Sequence, residues 1–149
     1  MGEKTINGDW SEYLAKAISE IEKRFGVEAL IVFGSWSRSG GGEWSDIDLL
    51  IITDEVRELN PLDRFTISAE LKKYRVDAFF YTFEELESMS LKGNPLALSA
   101  LIEGIALKTS PRVMELMRKV KKMYVKKGRT WLILSPNTKQ AISNSFSIN

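Results

Sequence analysis

The chain has 149 residues, with 21 basic and 20 acidic side chains and a net charge of +1. This length predicts one domain with a sizeable core, and the balanced charge gives no overall attraction to nucleic acid or to a membrane surface. The absence of cysteine and histidine excludes disulfides, thiol nucleophiles and histidine-based acid–base catalysis.

The N-terminal part of the chain predicts one amphipathic helix. Residues 1–8 are polar and are expected to be frayed, Asp9 is a suitable helix cap, and Gly26 is a suitable stop. The apolar residues between them recur at helical spacing and form one core-facing stripe: Trp10, Leu14, Ala17, Ile18, Ile21 and Phe25. The start has no apolar signal core, and no run approaches the ~20 apolar residues that span a bilayer. We therefore expect a cytoplasmic protein.

Two apolar runs, 27–33 and 46–53, are rich in Ile, Val and Leu and are bounded by Gly and polar residues. Runs of this kind are typical of buried strands, and strands that are apolar on both faces require helices on both sides of the sheet. Between them lies the Gly-rich polar segment of FGSWSRSGGGEWSDIDLLII, residues 33–52. The stretch therefore predicts strand, loop, strand.

The two ends of this loop contain candidate metal-binding and phosphate-binding residues. Asp46 and Asp48 are two residues apart, so in a strand both carboxylates point to one face. Adjacent carboxylates repel unless a cation or a proton lies between them, and with no His or Cys at hand this oxygen pair suits Mg²⁺. The turn at Gly34-Ser35 offers backbone N–H groups and a hydroxyl, which suit a phosphate. Together these features favour a nucleotide site and phosphoryl-type chemistry.

Residues 74–81 predict a third strand, after a helix that starts at Asn60-Pro61 and runs to about Lys73. The strand contains Asp77, and an acid within an apolar strand is costly to bury unless it is paired or bound to a metal. We interpret Asp77 as a third metal ligand and base. The alternative is a structural salt bridge, to Arg75 or to Arg38.

The residues Gly34-Ser35, followed by Ser45-Asp46-Ile47-Asp48-Leu49, resemble the GS…SDxDL signature of the DNA-polymerase-beta-type nucleotidyltransferases. The chain is similar in particular to the small stand-alone minimal nucleotidyltransferases of prokaryotes. Asp77 also falls where this family places its third carboxylate, and Arg38 falls where many relatives carry an Arg.

The resemblance implies an α/β (α+β) polymerase-beta-like fold, with a small mixed sheet flanked by helices. It implies ATP as substrate and Mg²⁺ as cofactor, in a two-metal site. The implied catalytic and metal-binding residues are Asp46, Asp48 and Asp77, and the implied nucleotide-binding residues are Gly34, Ser35, Arg38 and Ser45.

The second half of the chain contains start and stop signals for further helices and a short strand. Thr82-x-x-Glu85 is a capping box, Asn94-Pro95 and Ser110-Pro111 open helices, and 105–108 reads as a short strand. The last helix is predicted to run to Gly128. Its many basic residues indicate a solvated face rather than RNA binding, so nucleic acid is not an expected partner.

We predict a nucleotidyltransferase domain over residues 1–134 and a polar tail over 135–149. The apolar end of the domain, 129–134, is expected to act in association with a partner or a second copy. The resemblance implies three acceptor hypotheses. The first is a tyrosine on a small helical HEPN-type toxin, with the chain as its antitoxin. The second is a small hydroxylated molecule of the aminoglycoside kind. The third is a non-catalytic antitoxin that binds its partner only.

Overall fold

The computed structural model describes residues 2–34 and 46–134, with side chains from residue 10 onward. Within these residues lie five α-helices, a four-stranded sheet and a two-stranded hairpin. The helices are α1 (Gly2–Arg24), α2 (Pro61–Glu70), α3 (Phe83–Leu91), α4 (Pro95–Leu98) and α5 (Pro111–Met123). The strands are β1 (Ala29–Phe33), β2 (Ile47–Ile52), β3 (Val76–Tyr81), β4 (Ile105–Lys108), β5 (Tyr124–Lys127) and β6 (Thr130–Ile133). None of the described helices combines the length and the apolar character needed to cross a bilayer.

The four-stranded sheet is mixed and has the order β3-β2-β1-β4. Strand β1 is antiparallel to β2 and to β4, whereas β2 and β3 are parallel. A parallel pair needs a crossover between its strands, and here α2 and the 3₁₀ turns on either side of it, Asp54–Glu58 and Leu71–Tyr74, supply the crossover. The C-terminal end of β1 and the N-terminal ends of β2 and β3 therefore lie side by side at one end of the sheet.

Helices cover both faces of the sheet, as the strands' two-sided apolar pattern predicts. On one face, α1 and the crossover bury alternate strand residues such as Leu30, Leu49 and Val76. On the other face, α3, α4, α5 and the π-helical turn Ser99–Glu103 bury Ile31 and Leu50. The two cores hold the central strands rigidly, which fixes the polar residues at their ends.

Local capping signals fix several helix starts. The side chain of Thr82 accepts from the N–H of Glu85, and the Glu85 carboxylate accepts from the N–H of Thr82, so the predicted capping box is present. Asn94 and Ser110 cap α4 and α5, each followed by Pro at the first helical position. These side chains satisfy backbone donors that have no partner within the helix.

Two predicted boundaries are wrong. Helix α1 begins at Gly2, not at Asp9. The last helix ends at Met123 rather than at Gly128, because the backbone of the buried Tyr124 is extended and begins β5. The Tyr124 hydroxyl donates to the carbonyls of Ser90 and Leu91, and this anchor ends the helix. Gly128 is instead the turn residue of the β5–β6 hairpin, with φ of +63°, a left-handed conformation that glycine adopts without strain.

Candidate active site

The structure pairs two of the predicted carboxylates directly. Asp48 on β2 and Asp77 on β3 are register partners in the parallel ladder. Neighbouring strands lie about 4.8 Å apart, and partners in register point to the same face. Each side chain is partly exposed between strand residues that are buried. The fold therefore brings together two acids that are 29 positions apart in the sequence.

Gly34 closes the site from the neighbouring strand. It follows Phe33, the register partner of Asp48, and has φ of +77°, where a residue with a side chain would be strained. A Cβ atom added to Gly34 would also overlap the Oδ2 atom of Asp48. Both the turn and the close approach to the carboxylate therefore require glycine at this position.

Asp46 reaches the same place from just before β2. Its Oδ2 atom accepts from the Nζ atom of Lys72 at 3.2 Å, and its Oδ1 atom lies 3.5 Å from Nε of Arg75. Lys72 also forms an ion pair with Asp77. Two of the predicted carboxylates thus share one cation, and the third carboxylate, that of Asp48, is the strand neighbour of Asp77.

Lys72 is the site residue that sequence reasoning missed. It lies in the 3₁₀ turn Leu71–Tyr74, which leads from α2 into β3. The hydrogen bonds to Asp77 and then to Asp46 raise the pKa of Lys72 above its usual value, so the ammonium stays charged. The salt-bridge alternative for Asp77 named Arg75 or Arg38; the structure shows an ion pair between Asp77 and Lys72, and Arg38 lies outside the described residues. A lysine five positions before Asp77, on the turn into its strand, is the signal that could have indicated this contact.

The donor set fits a hard divalent cation. Carboxylate oxygens are the ligands that Mg²⁺ prefers, and the Lys72 ammonium already stands as a cation between Asp46 and Asp77. Among the described residues, however, no three acidic, His or Cys side chains are yet in a metal-ligating arrangement. Lys72 and a metal would therefore compete for the carboxylates of Asp46 and Asp77.

The other predicted nucleotide-binding residues cannot be placed in this geometry. Ser35, Arg38 and Ser45 lie outside the described residues. Their proposed contacts with the triphosphate remain predictions, as does the division of the chain at residue 134.

The fold is similar to that of nucleotidyltransferases from toxin–antitoxin systems. One match is to a structure of a tri-AMPylated Shewanella oneidensis HEPN toxin in complex with its MNT antitoxin, with 17% identity, coverage of 76% of this chain and 85% of that one, and a TM-score of 0.52. A second is to a toxin–antitoxin structure with AMP-PNP, with 18% identity, coverage of 72% and 84%, and a TM-score of 0.52. A mutant of the complex MntA-HpeT matches at 17% identity over 73% and 84%, again with a TM-score of 0.52. At these identities the likeness establishes the fold, which is polymerase-beta-like as predicted.

No curated protein shows significant sequence similarity to the chain. The family comparison gives a match over residues 14–107, which spans β1 to β4 and the carboxylates Asp46, Asp48 and Asp77. Because the match covers most of the chain, the predicted family is confirmed: the protein belongs to the nucleotidyltransferase domain family.

Proposed function

We propose that the protein transfers AMP from ATP, with Mg²⁺, to a tyrosine hydroxyl of a HEPN-type toxin and so acts as its antitoxin. This proposal rests on one observation: Asp46, Asp48 and Asp77 lie together at the N-terminal ends of β2 and β3, next to Gly34. Three acidic side chains beside a glycine turn with positive φ are suited to a metal–triphosphate complex.

In this proposal, Asp46, Asp48 and Asp77 hold the metal, and the Gly34 turn with Ser35, Arg38 and Ser45 holds the triphosphate. When bound, Mg²⁺ supplies charge neutralisation at the phosphates and lowers the pKa of the acceptor hydroxyl. Asp77 accepts the proton of that hydroxyl. The oxygen of the acceptor hydroxyl forms a bond to the α-phosphorus of ATP. The bond from that phosphorus to the pyrophosphate oxygen breaks, and pyrophosphate leaves. Positioning and charge supply most of the catalysis, so no histidine is needed.

Two of the similar structures support the choice of nucleotide and acceptor. One contains a tri-AMPylated HEPN toxin with an MNT antitoxin, and another contains a toxin–antitoxin pair with AMP-PNP. The carboxylates bridged by Lys72 are suited to AMP transfer to a protein, because they are partly exposed to solvent and a macromolecular acceptor can reach them. Asp46 and Asp77 are each 33% exposed.

The test is a labelling experiment with the full chain, α-³²P-ATP, Mg²⁺ and the protein encoded by the adjacent gene. We expect the label on a tyrosine of that protein, and we expect Asp77→Asn to abolish most of it. Label that appears only on added small hydroxylated compounds would favour the second acceptor hypothesis. Binding of the partner and of ATP without any label would favour the third.

A further inference from the structure

The outer face of α2 is apolar. Leu62 is 71% exposed and Phe65 is 69% exposed, the two highest values among the large apolar side chains that the structure describes. Residues three, four and seven positions apart share one side of a helix, so the exposed Ala69 continues the same apolar stripe. The helix packs onto the protein through the opposite side, where Ile67 is buried. A surface helix normally turns its apolar side inward, so the stripe of Leu62, Phe65 and Ala69 indicates a contact surface.

The apolar stripe borders a groove between α2 and β3. Phe65 and Ala69 line this groove, which has a volume of about 730 Å³ and reaches Lys72 and Asp77. Within the described residues β3 is an edge strand of its sheet, so α2 is the outermost element on this side. A molecule that covers the apolar stripe therefore lies next to the candidate active site, while Lys72 and Asp77 remain outside the contact.

The sizes of the side chains make the stripe complementary to itself. The large Leu62 stands at its N-terminal end and the small Ala69 at its C-terminal end, with Phe65 between them. If two copies of α2 pack antiparallel about a two-fold axis near Phe65, Leu62 of each copy lies opposite Ala69 of the other. The large side chain then fills the space that the small one leaves, as in well-packed helix pairs. The Phe65 rings of the two copies meet at the axis.

The charges at the two ends of α2 favour the same antiparallel arrangement. Glu58 precedes the helix and forms no ion pair with any residue in the described part of the chain. Lys73 follows the helix, four positions after Ala69, and is 59% exposed although it pairs with Glu20. The axis that brings Leu62 opposite Ala69 also brings Glu58 of each copy opposite Lys73 of the other. A parallel pair would instead place like charges side by side, which is unfavourable.

We propose that two copies of the chain associate through α2 as an antiparallel, two-fold symmetric pair. Closed two-fold dimers are the commonest oligomers of soluble proteins, and both copies then use the same surface. An unrelated partner would not require the two ends of α2 to match each other in size and charge. One short helix from each copy buries less than the ~1,200–2,000 Å² of a stable interface, so we expect a dimer that dissociates on dilution. None of the predicted site residues belongs to this contact, so the dimer and the proposed function can be tested separately.

The test is sedimentation equilibrium of the full chain over a wide range of concentration. We expect the mass of one chain at low concentration and of two chains at high concentration. Phe65→Ala should weaken the association by about 2- to 12-fold, the ratio that corresponds to one aromatic pair, and Leu62→Ala should weaken it as well. Leu107→Ala is the matched control, because Leu107 is 48% exposed on β4, at the other side of the sheet.

An exchange of charges tests the antiparallel arrangement. Glu58→Lys places a cation opposite Lys73 at both ends of the helix pair, and it should weaken the dimer by about 2- to 30-fold, the ratio for two surface ion pairs. The double variant Glu58→Lys/Lys73→Glu should restore most of that loss. All substituted side chains are exposed, so the variants should fold, and melting curves check this.

A mass of one chain at every concentration would overturn the inference. So would equal weakening by Leu62→Ala and Leu107→Ala, or a double variant that associates no better than Glu58→Lys alone. A monomeric wild-type chain whose binding to the protein encoded by the adjacent gene is weakened by Leu62→Ala would assign the stripe to that partner instead of a second copy.

Discussion

Arg112 and Lys72 each hold two carboxylates, and these two clusters differ in how the cation is held. At the start of α5, Arg112 donates to both carboxylate oxygens of Glu28 at 2.6 Å and to Asp54 at 2.9 Å. At the starts of β2 and β3, Lys72 pairs with Asp46 and Asp77. Arginine offers a planar fork that fixes the geometry of a carboxylate, whereas lysine is a point charge on a flexible stem.

The surroundings strengthen this difference. The guanidinium of Arg112 lies 4.3 Å from the ring centre of Phe83, and Glu28 also accepts from the Ser110 hydroxyl at 2.7 Å. The cluster therefore joins four separate parts of the chain, at Glu28, Asp54, Phe83 and Arg112. Lys72 is 55% exposed at the mouth of a groove. Arg112, at 47%, is almost as exposed, so the two clusters differ in geometry rather than in exposure. We interpret the Arg112 bridge as structural and the Lys72 bridge as exchangeable.

The largest expected effect comes from Asp77→Asn. The amide keeps the size of the side chain but loses the charge and the basicity, and loss of a general base typically costs ~10²–10⁴ in rate. Single-turnover AMP transfer measures the loss, and Asp54→Asn, the same change in the Arg112 cluster, is the control. A structural role for Asp77 would instead give a lower melting temperature with transfer nearly unchanged at permissive temperature.

Arg112→Met should act on stability and leave nucleotide binding unchanged. A charge-assisted bidentate pair is worth about 1.5–3 kcal/mol, but Arg112 is 47% exposed, so we expect about 1 kcal/mol. That corresponds to about 3 °C in melting temperature for a chain of this size. Calorimetric melting with a parallel ATP titration checks both parts. A weaker affinity for Mg²⁺–ATP would show that the two clusters are coupled.

The stability difference between wild type and Arg112→Met should depend on pH. The hydrogen bond from Arg112 lowers the pKa of Glu28 against the opposing effect of burial. Burial raises the pKa of Asp54, but Arg112 and the N–H of Phe83 more than offset it, so the net shift is downward. A lowered pKa stabilises the fold above the usual values of 4.5 and 3.8, and this contribution fades as the pH falls through the folded-state pKa. Melting curves at neutral pH should therefore separate the two proteins, and curves at acid pH, once both carboxyl groups are protonated in the folded state, should bring them together.

The smallest expected effect comes from Lys72→Met. If the ammonium is an exchangeable counter-ion, its removal leaves the carboxylates without a competitor, and Mn²⁺ alone should bind about 2- to 5-fold more tightly, the ratio for an exposed ion pair. Lys73→Met is the matched control, because Lys73 is the next residue and pairs with Glu20 instead. Manganese titration followed by electron paramagnetic resonance measures both. Equal affinities in the two variants would mean that only net charge matters.

Much of the fold was predictable because its signals are local. The apolar runs of the first three strands, the capping box at Thr82 and the Pro-led helix starts depend on residues close together in the chain. The last helix was predicted too long for the same reason. Residues 111–127 keep a helical pattern, and only the distant contacts of Tyr124 with Ser90 and Leu91 show where it ends.

The candidate site divides in the same way. Asp46 and Asp48 lie in one motif, and the placement of Asp77 beside them follows from a third strand that pairs in register with the second. The position of Lys72 five residues before Asp77 could have indicated its contact with Asp77, but its contact with Asp46 depends on how the turn after α2 packs against the sheet. The groove between α2 and β3 was unpredictable for a related reason: residues of both elements line it, so it depends on how α2 packs beside this strand.

The most direct test of the account is the affinity of Asp48→Asn for Mg²⁺–ATP, measured by calorimetric titration beside Asp54→Asn. Asp48 is the register partner of Asp77 and the carboxylate that Gly34 accommodates. Loss of a supporting partner of a metal typically costs 10- to 100-fold in affinity, so loss of a direct ligand should cost at least ~10-fold. We expect that loss in Asp48→Asn and wild-type affinity in Asp54→Asn. Equal, undiminished affinity in both variants would contradict it.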